Sequence, residues 1–241
     1  MTINVCNPEV VPTPESYWGK VNSIGPRSCY DEGKRFAEAL LVAYHKQYGL
    51  DVNIPRIFNS YGLRLREDGL YGRAMSRFIM QALADLPITI YGDGRQTRPF
   101  CYITDTVTGL MLLTSSDKAK DEVVNVGNTQ EVTILELAKK IKALTKCKSP
   151  LTFQPLPKDD PRRRCPDTSK LEKLVGWKPN MIKLHYWVTS RISYVIILVA
   201  KNRHYRAIRK VLAILPSFFF GIKITKIPIM SVERAATCPV L

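Results

Sequence analysis

Tyr30-Asp31-Glu32-Gly33-Lys34 sets a tyrosine and a lysine four residues apart, and the residues that follow decide how the spacing is read. Phe36, Leu40, Leu41, Tyr44 and Tyr48 continue in the rhythm of an apolar helical stripe, and Gly49 then supplies a stop. On a helix, residues four apart stand one above the other on one face. Tyr30 and Lys34 therefore read as a proton-transfer pair. A free phenol ionises near pH ~10, and an ammonium fixed beside it favours the phenolate, which brings the tyrosine closer to general-base duty at neutral pH. A lone Tyr-x-x-x-Lys also arises on helices with no chemistry, so its meaning rests on the surrounding chain.

Outward from this helix the elements alternate. Residues 52–58 read as a strand in spite of Pro55, which removes one ladder donor. Residues 73–85 read as a helix with Ala74, Phe78, Ala82 and Leu83 inward, 88–91 as a short strand, 105–116 as a helix and 123–126 as extended. Residues 133–146 form an amphipathic helix with Ile134, Leu137, Ala138, Ile141 and Leu144 on one stripe, opened by the capping box Thr133-Ile134-Leu135-Glu136. Pro155-Leu156-Pro157 reads as a loop. Such alternation predicts an α/β architecture with a parallel sheet.

Composition narrows the function classes. A chain of 241 residues can bury a sizeable core, and its formal charge of +15 is uneven. Residues 181–241 hold ten Lys and Arg against one acid, so the basic balance belongs mostly to that tail. No nucleic-acid motif or aromatic platform accompanies the charge, and nucleic acid is not expected as a partner. The six cysteines show no C-x-x-C or metal-ligand spacing, which predicts reduced thiols and no metal site. No basic stretch followed by an apolar core opens the chain, and a cytoplasmic location is expected. The apolar runs at 192–200 and 211–222 fall short of the roughly 20 residues a span requires. A basic membrane-surface helix at 201–215 remains as an alternative to a disordered tail.

Around the tyrosine-lysine pair, five segments recur in a recognisable order. They are Pro14-Glu15-Ser16-Tyr17-Trp18-Gly19, Gly25-Pro26-Arg27-Ser28-Cys29-Tyr30-Asp31-Glu32-Gly33-Lys34-Arg35, Arg56-Ile57-Phe58-Asn59-Ser60-Tyr61-Gly62, Tyr91-Gly92-Asp93-Gly94-Arg95-Gln96-Thr97-Arg98, and Asp159-Asp160-Pro161 through Pro166-Asp167. From Pro8 to about Pro179, including the closing Gly176-Trp177-Lys178-Pro179, the chain resembles the extended short-chain dehydrogenase/reductase (NAD-dependent epimerase/dehydratase) family, and within it the UDP-glucuronate decarboxylases, or UDP-xylose synthases.

The resemblance implies a partial Rossmann-like doubly wound parallel sheet lacking the first strands, with a small C-terminal substrate-binding subdomain. Residues 1–184 would form this domain, with substrate elements mainly at 59–105 and 150–180, and 185–241 an unrelated tail. It further implies NAD as cofactor, a UDP-sugar as substrate, a homodimer, and lyase chemistry that takes UDP-glucuronate to UDP-xylose. Tyr30 would take the proton of the sugar C4 hydroxyl as hydride leaves for NAD, and Lys34 would hold the nicotinamide ribose, so both also count as cofactor-binding. Asn59 would contact the diphosphate region, Arg98 and Arg164 would pair with the phosphates, and Tyr91 and Gln96 would lie along the nucleotide. Alone, Arg162-Arg163-Arg164 reads as a solvated charge run; the flanking Asp-Asp-Pro and Pro-Asp favour the site reading.

Departures from the family are as informative. No G-x-G-x-x-G turn, the usual cradle of the NAD pyrophosphate, occurs. Ile3-Asn4-Val5-Cys6-Asn7 stands where the family carries Ser/Thr-Glu-Val-Tyr-Gly, and Leu63 where it carries proline. The expectation is the carboxyl-terminal two thirds of such an enzyme with a new start and weak NAD binding. A 4-epimerase or 4,6-dehydratase acting on another nucleotide sugar, and a non-catalytic sugar-nucleotide-binding fragment, are the competing readings.

Overall fold

The first helix, α1, runs over Ser28–Tyr48 and stops where the sequence predicts. Gly49 adopts φ +65° and donates its N–H to the His45 carbonyl at 2.8 Å, a left-handed cap that glycine enters without a Cβ penalty. The computed structural model describes residues 8–19, 21–25, 28–62, 65, 74–157, 160 and 162–179. Arg73, Asp159, Pro161 and the whole of 181–241, with its predicted tail features, lie outside the described residues.

After α1 come β1 (Ile54–Ile57), β2 (Ser60–Tyr61), α2 (Ala74–Leu83), β3 (Ile88–Tyr91), β4 (Thr97–Pro99), β5 (Cys101–Tyr102) and α3 (Ile103–Thr114). A short 3-10 turn at Asp117–Ala119 leads to β6 (Val123–Val126), β7 (Glu131–Thr133), α4 (Ile134–Thr145), β8 (Leu151–Gln154) and α5 (Ser169–Val175). The strands pair in four ladders. β1 with β6, β2 with β5 and β3 with β8 are parallel, and β4 with β7 is antiparallel. Parallel pairs joined through helices are the signature of doubly wound α/β folds, and the architecture is a partial Rossmann-like one.

Two cores result. The larger lies among α2, α4, β3, β2 and β5, where Phe78, Ile79, Ile88, Ile90, Leu137 and Ile141 are completely buried. The predicted α4 stripe is buried as expected, with Leu144 at its margin. The capping box forms in both directions, Glu136 N–H to Thr133 Oγ1 and Thr133 N–H to Glu136 Oε2, each at 3.0 Å. The smaller core joins β6 to α3 and α5 through Val124, Val126, Leu113 and Leu171, backed by Trp177.

α1 joins neither core. Among its 21 residues only Asp31 is buried, while Phe36 and Tyr48 are 66% and 67% exposed. The apolar rhythm that predicts the helix thus forms an outward stripe among the described residues. The predicted strand at 52–58 shortens to four residues, and the helix at 105–116 begins earlier, at Ile103. Cys29, Cys101, Cys147 and Cys165 are free thiols. No helix among the described residues is long and apolar enough to cross a membrane.

Candidate functional site

Tyr30 and Lys34 project from one side of the first turns of α1, as their spacing requires. The Lys34 Nζ lies 5.4 Å from the Tyr30 ring centroid, and Tyr30 is 40% exposed, so phenol and ammonium share a reachable face. No hydrogen bond links this pair to Asn59, Tyr91, Gln96, Arg98 or Arg164 among the described residues. Its position is inherited from the anchors of α1. Arg56 of β1 reaches Glu38 of α1 at 3.2 and 3.0 Å and donates its third nitrogen to the Glu15 carbonyl at 2.7 Å. Glu15 in turn accepts the Asn125 N–H at 2.8 Å. Arg35 donates to the Trp18 carbonyl at 3.1 Å, and His45 meets Leu50 O and Asp121 Oδ1 at 2.9 Å.

Asn59 follows the carboxyl end of β1, where parallel α/β folds collect their ligands. Its φ is +31°, in the left-handed region, and its Nδ2 is buried without a hydrogen-bond partner among the described residues. A buried amide without an acceptor and a strained backbone both cost stability. The Asn59 carbonyl accepts the Cys101 N–H at 3.2 Å, which joins it to the strand run that carries Arg98.

Tyr91 ends β3, and a turn returns the chain through Gly92 (φ +69°) and Gly94 (φ +74°) to Gln96 and β4. Gln96 closes this turn by donating Nε2 to the Tyr91 carbonyl at 2.6 Å. The turn also serves as the acceptor for α4, since Leu135 N–H donates to Gly94 O and Ile134 N–H to Gln96 O, each at 3.0 Å. A Cβ at Gly94 would meet that of Leu135 at 3.0 Å, so the close approach requires glycine. Arg98 donates to the carbonyls of Thr97 at 2.7 Å and Arg162 at 3.2 Å, and to Asp160 Oδ2 at 3.2 Å.

The three-arginine run divides its labour. Arg163 forks onto Glu131, with Nε 2.9 Å from both carboxylate oxygens, and Thr97 Oγ1 donates to the same carboxylate at 2.6 Å. Arg163 holds the Glu131 carboxyl below the usual carboxylate range, with Thr97 assisting. Arg164 instead buries Nε and Nη2, while Arg162 is exposed. Sequence reasoning missed Arg163, Glu131 and Asp160 as supports of this surface, because their pairing crosses 32 and 62 residues of chain. An open cleft lined by Pro12, Asn128, Gln130, Asp167, Glu172 and Lys178 contains none of the expected site residues. No group of three metal-ligating side chains occurs among the described residues.

The parallel ladders and the helices between them define an α/β protein of Rossmann-like type. Residues 8–127 match the NAD dependent epimerase/dehydratase family, and the chain belongs to it. UDP-glucuronic acid decarboxylase 1 of Danio rerio is 47% identical over 188 residues, covering 78% of this chain and 44% of that protein. UDP-glucuronic acid decarboxylase 6 of Arabidopsis thaliana is 47% identical over 175 residues, covering 73% and 50%. The chain thus spans about half the length of the curated relatives it matches. Among solved structures it is similar to the UDP-glucose 4-epimerase of Thermotoga maritima with UDP-glucose, at TM-score 0.73 and 25% identity over 80% of this chain and 62% of that one. A UDP-glucuronic acid 4-epimerase from Bacillus cereus in complex with UDP-glucuronic acid and NAD follows at TM-score 0.66 and 28% identity, covering 82% and 60%.

Proposed function

We propose that this chain carries the substrate side, and the catalytic tyrosine, of an NAD-dependent UDP-glucuronate decarboxylase that forms UDP-xylose and carbon dioxide. The observation that carries the reading is the Tyr30–Lys34 pair on one exposed helical face, in a chain 47% identical to UDP-glucuronic acid decarboxylases. The pair fits the nicotinamide-ribose end of NAD, for it offers a cation and a phenol side by side to sugar hydroxyls. What a bound NAD supplies is reversible hydride acceptance at the sugar C4, which makes the C5 carboxylate a β-keto acid ready to lose carbon dioxide.

The chain's own residues bind and move protons. Arg98 and Arg164 pair with the diphosphate, and the Asn59 amide finds there the acceptor it lacks. Tyr91 and Gln96 lie along the nucleotide. Tyr30 accepts the C4 hydroxyl proton and later returns it, while the Lys34 ammonium favours the phenolate that does so. A homodimer belongs to the same reading, and the exposed stripe of Phe36, Leu40, Tyr44 and Tyr48 supports it by offering a surface for a second copy. Sedimentation velocity tests that part, and a monomer at micromolar concentration would refute it.

The activity test follows carbon dioxide and nucleotide products from UDP-glucuronate and NAD, using the chain alone and the chain joined to the amino-terminal half of a curated decarboxylase. UDP-xylose formation that disappears in Tyr30→Phe is the expected result. A 4-epimer product would transfer the assignment to the epimerases. UDP binding with no product in either form would leave a sugar-nucleotide-binding fragment.

A further inference from the structure

Arg77 of α2 lies against Tyr91, with its guanidinium carbon 4.6 Å from that ring's centroid and 5.8 Å from the ring of Phe78. Its hydrogen bonding is poor. Nη2 reaches the Thr89 carbonyl only at 3.5 Å, and Nε is buried with no acceptor among the described residues. Burial draws the guanidinium below its ordinary pKa against the opposing influence of Tyr91, yet arginine remains cationic near neutral pH. A partly desolvated cation with so few acceptors costs stability, where an apolar side chain of the same reach would not.

The α2–β3 contact does not need it. Gln81 already ties α2 to Thr89 in both directions, through Thr89 N–H to Oε1 and Nε2 to Thr89 Oγ1, each at 3.0 Å. The Tyr91 backbone is likewise held by Gln96 at 2.6 Å. What remains for Arg77 is the Tyr91 ring itself. A planar cation on one side of a phenol fixes the ring and offsets the negative charge of its π face.

We propose that Arg77 is a positioning and specificity residue for the nucleobase: it holds the Tyr91 ring as a stacking platform and biases that platform toward uracil. The inference rests on the reading of Tyr91 as lying along a sugar nucleotide. Uracil carries carbonyl oxygens at both C2 and C4, which a nearby cation attracts. Cytosine puts an amino group at C4, which the same cation repels. The turn of residues 91–96 connects this platform directly to Arg98, so base and diphosphate would be held by one continuous piece of chain.

Titration calorimetry of the full chain with UDP, CDP and inorganic pyrophosphate tests the proposal in wild type, Arg77→Met and Arg77→Lys. Loss of the cation should weaken UDP about tenfold, leave pyrophosphate near its wild-type affinity, and bring the UDP-to-CDP preference toward unity. Arg77→Lys should recover part of both effects, because it keeps the charge without the planar stack. Unchanged UDP affinity and preference in Arg77→Met would overturn the proposal, as would an equal loss for all three ligands. If Arg77→Met does not fold, Arg77→Lys decides: weaker UDP beside intact pyrophosphate binding supports the role, and unchanged UDP binding rejects it. A wild-type chain that binds neither UDP nor pyrophosphate overturns the sugar-nucleotide reading and this inference with it, whereas UDP binding indifferent to position 77 overturns the inference alone.

Discussion

Arg56 on β1 grips Glu38 on α1 through two hydrogen bonds, Nε to Oε1 at 3.2 Å and Nη2 to Oε2 at 3.0 Å, with side chains only 9% and 14% exposed. Since α1 contributes no buried apolar residue to either core, this fork is a direct tie from it to β1. Removing one partner strands a charge that water scarcely reaches, so Glu38→Ala should destabilise the chain by about 3–5 kcal/mol. Replacing both residues with apolar ones of similar size should be much less harmful. Urea unfolding provides the comparison, and a Glu38→Ala midpoint equal to wild type would show that α1 is held by something else.

Arg98 is engaged by an internal carboxylate, Asp160, at 3.2 Å. A phosphate approaching that guanidinium competes with a group of the same sign, and Asp160→Asn should tighten pyrophosphate and UDP binding by a few-fold, about 0.5–1 kcal/mol. Arg98→Ala should weaken it by about 1.5–3 kcal/mol. Calorimetry reads both. Weaker binding in Asp160→Asn would instead make the carboxylate an aligner of Arg98.

Glu131 supplies the expected acid sensitivity. Its carboxyl is lowered from 4.5 chiefly by Arg163 and then by Thr97, so the folded state binds its proton less readily than the unfolded chain does. Its contribution is therefore complete above the unfolded value and fades as pH falls through the folded one. Urea midpoints measured from about pH 6 to about pH 3 should decline less steeply in Glu131→Gln than in wild type. Parallel declines would remove Glu131 from the acid response.

Cys165 should resist alkylation. Burial pushes its thiol up to about 11, and only 2% of the residue is exposed, whereas Cys29 is exposed near the start of α1. Iodoacetamide at pH about 8, followed by peptide mass spectrometry, should label Cys29 well before Cys165. Equal rates would mean that the segment around Cys165 opens readily.

Local physics accounts for what the sequence discloses. The stop at Gly49 and the Thr133–Glu136 box each need only residues within one turn, and both form. β2, β4, β5 and β7 escape notice because two or three residues cannot establish an alternation, and their existence depends on distant partners. Arg77 is equally hidden, since a charged residue beside the buried Phe78 and Ala82 reads as solvent-facing. In the run of Arg162 to Arg164, nothing local distinguishes the arginine that pairs with Glu131 from the one that turns inward. The outward face of α1 is a similar case: periodicity establishes a stripe without saying what covers it.

Asn59 stands between two bodies of packing. β1 before it is bonded to β6 of the smaller core, and Tyr61 just after it is buried in the larger one. Tyr91, Gln96 and Arg98 ride with the larger core through the start of α4, while Tyr30 and Lys34 are tethered to β1 through Arg56 and Glu38. Any molecule long enough to touch both groups would act as a suture across this seam. Tyr30 and Lys34 on one side and Tyr91, Gln96 and Arg98 on the other are thus joined along the chain through Asn59, a residue held at φ +31°.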